Sequence, residues 1–358
     1  MTYIFTAVYV TLYAYIVRVR GGLVSFFIAY SPILLLLLLI LGFQHNVGTD
    51  YYSYLALASG EKSFGWIERK GEHLFITVNN FVIFLGEPQL IFFFLGFIQI
   101  IFLMLFIYQL KNHRLSFYWF IFLYFTFLLV FFNSFNGIRQ YTAVYIVVLS
   151  ILYLFAGYKL RFLFLWVAGS LFHSSAIFFA VFYFTRRYLF IEWGIKKVLV
   201  LSAFTFVFSI FSWHFGYKEI HAYLITFTKY AHYVDSDYFQ SKTSLINIAT
   251  KLPKILTVLL CGYIIQVYYP RLYKKFTPLI NLSYISIIVL ILSLSNSVVW
   301  RMYQYFDIFT VFPLLILLSF GYQKSITRSI VCVLTVIWIL KVTIFAVGEY
   351  RYSSIFGI

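Results

Sequence analysis

Apolar runs of membrane-spanning length recur along the whole chain, and they restrict it to one kind of fold. Leu34–Phe43 contains only leucine, isoleucine, glycine and phenylalanine. Lipid offers no hydrogen bonds to backbone groups, so such a run must satisfy them internally, as a helix. About 20 apolar residues carry a helix across the hydrocarbon core. Full spans are expected near 3–17, 23–43, 89–110, 115–132, 137–156, 198–213, 251–269, 279–296, 299–319 and 329–347. Two further stretches, 73–86 and 162–184, are apolar but harder to place. The composition agrees, with 63% hydrophobic residues, 11% charged residues and a mean hydropathy of +0.92. A soluble domain carries about 25% charged residues. The expected fold is an all-α polytopic membrane protein of about 10–12 transmembrane helices, one or two of them broken or re-entrant. Residues 1–358 read as a single integral membrane domain without internal repeats.

The net charge of +16 does not point to nucleic acid. Its basic residues sit in short clusters between spans: Arg18/Arg20, Lys111/Arg114, Lys159/Arg161, Arg186/Arg187/Lys196/Lys197, Arg271/Lys274/Lys275 and Lys324/Arg328. Such clusters mark the cytoplasmic side. All of them can lie there only if 73–86 does not cross fully and 162–184 folds back on itself. The sequence GSLFHSS at the middle of 162–184 permits that break. If both stretches cross, twelve spans result and some clusters face outward. In the first arrangement the loop 44–72, the segment 136–140, the loop 214–250 and Arg301 share the outer side. The first run lacks the basic start and small-residue cleavage site of a signal peptide. Cys261 and Cys332 lie in apolar runs, as packing residues do.

Polar groups within a bilayer are costly, so each is a candidate site. Arg139 opens the expected helix 137–156 and Arg301 opens 299–319. Guanidinium keeps its charge and matches phosphate oxygens in a fork, so both suit a lipid-linked pyrophosphate. Snorkelling to the interface is the plainer use of an arginine near a span end. Gln304 and Tyr305 lie one turn beyond Arg301, and Asp307 lies deeper, either as the partner of a buried cation or as part of the site. His173 is flanked by Gly169, Ser170, Ser174 and Ser175. It is either a hydrogen-bonded packing residue or a group that orients or deprotonates a sugar hydroxyl. GTDYYSY, residues 48–54, follows the second span. Asp50 could accept a hydrogen bond from a sugar hydroxyl, and Tyr51, Tyr52 and Tyr54 could stack on sugar rings. Alternatively, Thr49 or Asp50 begins an interfacial helix, and the tyrosines are belt residues. Lys341, inside the last span, snorkels outward or adds a cation to the cavity. His214, His221, His232, Asp235 and Asp237 match no familiar ligand spacing, so no metal is expected. No Gly-rich phosphate loop, GxSxG or HExxH occurs, and no cofactor is expected.

GTDYYSY after the second span, NGIRQYTA opening a later helix, SLFHSSAIF in midchain and WRMYQYF near the C-terminal end occur in this order. The pattern resembles the EpsG family of bacterial membrane proteins, related to Wzy-type polymerases of O-antigen, capsule and exopolysaccharide. The resemblance covers nearly the whole chain, and Asp50, Arg139, His173 and Arg301 match the family's recurring polar positions. Residues 185–250 match no motif.

The resemblance implies a glycosyltransferase reaction at the outer face of the bacterial inner membrane. A growing glycan on undecaprenyl pyrophosphate moves onto the non-reducing sugar of a lipid-linked repeat unit. Arg139 and Arg301 would hold the pyrophosphate, with Lys341 or Arg69 as helpers. His173 or Asp50 would position or deprotonate the acceptor. The partners so implied are the undecaprenyl-pyrophosphate-linked oligosaccharide, membrane lipid and a chain-length regulator. Rival readings are a lipid-linked oligosaccharide flippase or transporter, a membrane O-acyltransferase and an O-antigen ligase.

Overall fold

The computed structural model describes residues 1–19, 21–128, 130–214, 245–294 and 297–357. Every extended regular element among them is a helix. The chain groups into two compact units, Met1–Arg186 with Leu318–Ile358 and Arg187–Leu317. Each is described by itself.

Unit 1 contains α1 (Thr2–Ile16), α2 (Leu23–Gly42), α3 (Tyr51–Ala58), the single turn α4 (Gly65–Glu68), α5 (His73–Leu85), α6 (Leu90–Asn112), α7 (Phe117–Leu123) and α8 (Val130–Asn136). These are followed by α9 (Ile138–Phe155), α10 (Lys159–Phe172) and α11 (Val181–Leu189), the last of which runs on past the unit's boundary. Helix α9 is central and almost wholly buried, whereas most of α2 is not. Its residues are apolar nearly all round, as befits a helix enclosed by others. Gly169 lets α10 lie close against it: a Cβ there would stand 2.8 Å from Val147 Cγ2. This is the close approach expected of the small residues around His173.

At two of the prolines inside spans, Pro32 and Pro278, the preceding hydroxyl repairs the break. Pro32 has no N–H for the Ile28 carbonyl, and Ser31 Oγ donates to it at 2.8 Å. Pro278 releases the Lys274 carbonyl, and Thr277 Oγ1 reaches it at 3.3 Å. Such repair is required where no water can substitute.

The two ambiguous stretches are now placed. Helix α5 is only 13 residues long. That is roughly 20 Å, well short of the hydrocarbon core. The stretch 162–184 folds back on itself. Helix α10 ends at His173, a 3-10 segment follows over Ser174–Ala180, and α11 returns beside α10. Trp166 Nε1 donates to the Ala176 carbonyl at 3.1 Å, and Phe162 stacks on Tyr183 with centroids 6.1 Å apart.

The expected span 115–132 is bent by 57°, between Phe117–Leu128 and Val130–Asn136. A π-helical turn over Tyr124–Leu128 leads into the bend, and such turns commonly kink helices. Among the described residues, seven helices have the length and composition to cross a membrane, or eight with the bent pair counted as one. The ten expected spans also included 3–17, which forms the shorter α1, and 198–213, which lies within α12 (Ile195–His214); 73–86 and 162–184, needed for a count of twelve, form α5 and the hairpin. This is a multi-pass membrane protein.

The ends of unit 1 differ in charge. Lys111 Nζ donates to the Gly21 carbonyl at 3.0 Å, and Gln109 pairs with Tyr153, whose ring carries the Arg161 guanidinium. The Phe162–Tyr183 stack brings Arg186 to that end, and Ser319 Oγ, bonded to Ser116 N–H, brings Lys324. Arg18, Lys111, Lys159, Arg161, Arg186 and Lys324 are therefore gathered at one end. The other end holds the C-terminal segment, where Ser354 bridges Gln44 and Tyr350 donates to Asn133 Oδ1 at 3.3 Å.

Unit 2 contains α12 (Ile195–His214), α13 (Leu245–Tyr268), α14 (Pro270–Leu292), α15 (Ser297–Phe306) and the first part of α16 (Phe312–Phe320). In unit 1 α17 (Lys324–Thr343) completes the set. A kink at Phe276, just before Pro278, splits off the basic start of α14. Tyr273 donates to the Trp193 carbonyl at 2.6 Å, and Gln266 Oε1 accepts from Ile195 N–H at 2.7 Å. Both bonds draw Lys196, Lys197, Arg271, Lys274 and Lys275 to one end of unit 2.

Candidate functional site

Arg139 is the second residue of α9, and its depth can be read from α6. The Ile138 carbonyl accepts from Gln99 Nε2 at 2.9 Å. Gln99 lies nine residues into α6, or roughly 14 Å along it. Gln109 of α6 meets Tyr153 of α9 towards the opposite end, so the two helices run parallel. Helix α9 therefore begins well inside the unit rather than at its surface. A guanidinium there cannot snorkel, and the Arg139 side chain is 9% exposed. A cation at a helix N-terminus also opposes the helix dipole, so an anion must compensate.

That anion is Glu72. Its Oε2 lies 2.8 Å from Arg139 Nη1, and it has no exposed surface. The contact is close but not aligned as a hydrogen bond. Arg139 Nε and Nη1 are buried without hydrogen-bond partners among the described residues. The guanidinium is sandwiched, with Cζ 4.7 Å from the Trp66 ring and 5.2 Å from Phe75. Lys70 Nζ stands 4.6 Å from the same indole. Two cations thus flank one ring, an arrangement the ring quadrupole favours.

Glu72 also reaches the hairpin. Its Oε1 accepts from Ser174 N–H at 3.0 Å. His173, next to Ser174, is buried and takes an extended conformation (φ −150°, ψ 122°) that ends α10. Its Nδ1 lies 2.7 Å from Ser175 Oγ and accepts from Ser175 N–H at 3.4 Å. An accepting Nδ1 assigns the proton of the neutral ring to Nε2. The 3-10 segment that follows runs seven residues, longer than such segments usually persist.

Asp50 is held from the same junction. Asn136 Oδ1 accepts from Thr49 N–H at 2.8 Å, Thr49 Oγ1 at 3.0 Å and Asp50 N–H at 3.1 Å. Gly48 has φ +78°, and a Cβ there would meet Asn136 Oδ1 at 2.9 Å. Only glycine fits that turn. Asp50 stands at the N-cap of α3, where its side chain makes no capping bond, and it is exposed. The helix expected to begin here is present, but the carboxylate is not spent on capping it.

The tyrosines differ from the stacking role expected of them. Tyr51 is buried, donates to Gln89 Oε1 at 2.9 Å and stacks on Phe92 at 5.0 Å, which occupies one face of its ring. Tyr54 is buried beside Arg139, so it can offer a hydroxyl rather than a face. Burial holds its phenol up at about 12, against the pull of the Arg139 charge, so it stays a protonated donor at neutral pH. Tyr52 is the exposed ring of the three, at 58%.

Lys341 lies in the last turn of α17, with its ammonium 4.1 Å from the Tyr350 ring. Arg69 Nε donates to the Gly65 carbonyl at 3.1 Å.

Arg301 and Gln304 are half-buried on α15, and Tyr305 has no exposed surface, so no face of its ring is open. Asp307 is the buried partner of a cation: it pairs with Lys254 of α13 and accepts from Tyr303 at 2.6 Å. Lys251, one turn before Lys254, lies 4.4 Å over Trp300. His221, His232, Asp235 and Asp237 lie outside the described residues, and of His214 only the backbone is described.

Unit 1 therefore brings Asp50, Tyr54, Arg139 and His173 around one junction. It adds Glu72, Trp66, Lys70 and Asn136, which the reading of polar residues within spans passed over. Glu72 had a signal: a carboxylate immediately before an apolar stretch too short to cross.

No curated protein and no solved structure matches the chain. A family model does, over residues 4–355, and by that match the chain belongs to the EpsG family.

Proposed function

We propose that the protein is a polysaccharide polymerase that transfers a growing glycan from undecaprenyl pyrophosphate to a lipid-linked repeat unit. Membership of the EpsG family supports a membrane glycan polymerase in general. The finer reading rests on one observation, the recessed guanidinium of Arg139 with buried donors left over. An uncommitted charged donor inside a membrane protein is costly unless a ligand uses it.

In this reading Arg139 takes oxygens of the donor pyrophosphate through its remaining N–H groups. Negative charge on the leaving group grows as the glycosidic bond breaks, and fixed cations stabilise it. Arg301 keeps the phosphate-binding role its motif implies, and Lys341 remains a helper. The sequence left the acid/base role open between His173 and Asp50. With Nδ1 accepting, His173 suits donation from Nε2, towards the acceptor sugar or the phosphate. Asp50 is left to take the proton of the attacking hydroxyl. Tyr51, Tyr54, Gln304 and Tyr305 then act through polar groups rather than open ring faces. The acceptor oxygen bonds to the anomeric carbon, undecaprenyl pyrophosphate departs with the bonding electrons, and the hydroxyl proton goes to Asp50.

The end bearing the basic clusters faces the cytoplasm under this proposal, and Asp50 faces outward. The active site then lies at the outer face of the bacterial inner membrane. The test is polymerisation by purified protein of lipid-linked repeat units, without nucleotide or added metal. A ladder of polymer is expected. Movement of the lipid between leaflets of a vesicle, without polymer, would favour the flippase instead.

A further inference from the structure

We propose that Glu72 is a positioning residue that sets the guanidinium of Arg139 and the backbone at His173 in one geometry. This rests on reading unit 1 as the transfer site. The two oxygens of Glu72 serve two elements. Oε1 accepts the N–H of Ser174, the residue after His173, and Oε2 faces Arg139 at the head of α9. Glu72 also stands at the N-cap of α5 but makes no capping bond there.

Stability does not explain the pair. Replacing a buried ion pair by apolar residues of similar volume is often neutral or stabilising. Nor is this pair optimised. An arginine and a carboxylate at their best make two parallel hydrogen bonds. Here the Nη1–Oε2 contact is unaligned and Nε has no hydrogen-bond partner among the described residues. The guanidinium is held by charge and keeps donors for a second anion.

A pyrophosphate oxygen at Arg139 would compete with Glu72. Whatever shifts that carboxylate also shifts its hold on the Ser174 N–H beside His173. Donor binding and the placement of His173 are linked through this one side chain.

Glu72→Gln tests the link. It keeps an acceptor for the Ser174 N–H and removes the charge facing Arg139. Purified wild type and variant are titrated with farnesyl pyrophosphate, and single-turnover polymerisation is measured in parallel. The variant should bind the pyrophosphate lipid roughly tenfold more tightly, because a competing charge at contact distance is gone. Its turnover of bound donor should fall by about 10²-fold, the scale of a misplaced reacting geometry. A carboxylate with a merely structural role would lower both quantities together. Loss of both, unchanged binding or unchanged turnover overturns the inference. Failure of the variant to accumulate in the membrane also overturns it, because the pair would then serve folding. A wild-type chain that polymerises nothing overturns the functional reading instead, and the binding comparison still decides the role of Glu72.

Discussion

At residue scale, Asp50 and His173 are fixed by different partners, and this separates their roles. Three hydrogen bonds to Asn136 hold the backbone and hydroxyl around Asp50, leaving its carboxylate exposed. His173 turns Nδ1 inward to Ser175. Asp50→Asn should therefore lower single-turnover polymerisation by roughly 10²–10⁴-fold with donor binding retained, the range for a lost general base. His173→Gln, which still donates, should lose less. Single-turnover rates with donor affinity measured separately check this, and the reverse order of losses would return the base role to His173. Arg139 and His173 were legible in the sequence because a charge or imidazole within an apolar run stands out. Glu72 was not, because its importance comes from Ser174 and Arg139, which are distant in sequence and meet only in the fold. The buried tyrosines show the converse. GTDYYSY falls at the junction with Arg139, but the alternation of buried and exposed positions along α3 is set by packing against Phe92 and Phe75.

At the scale of elements, the hairpin α10–α11 positions His173, and its closeness to α9 depends on Gly169. A side chain there would collide with Val147. Gly169→Val should destabilise the protein by about 1–3 kcal/mol, as overpacking does. It should also reduce polymer yield by displacing His173 and Ser174 from Glu72. Thermal unfolding in detergent together with the polymerisation assay checks both. The fold-back was legible, since GSLFHSS interrupts an apolar stretch flanked by basic clusters. The bend within 115–132 was not. That stretch is apolar and free of proline and glycine, and its π-helical turn leaves no mark in hydropathy.

At the scale of the whole molecule, each unit gathers the basic clusters between its helices at one of its own ends. Under the proposed function those ends lie in the cytoplasm. With this orientation, a thiol-reactive reagent applied to intact cells should label Ser53→Cys in α3 and leave Ser325→Cys in α17 untouched. Labelling of Ser325→Cys would invert the protein and move Asp50 to the cytoplasm. The helical membrane architecture was legible throughout, because bilayer thickness sets the length of each apolar run. The depth at which α9 begins was not, because it depends on the Gln99–Ile138 bond and not on any run length.

The recessed guanidinium carries the functional reading, so Arg139→Lys in the purified polymerisation assay tests it most directly. Lysine keeps the charge but loses the fork, and one preorganised donor at a developing anion is worth about 10²–10³-fold. The lysine variant should insert normally and lose polymer formation by about that factor. Polymer of wild-type amount and length from Arg139→Lys would contradict the assignment of the donor pyrophosphate to this site.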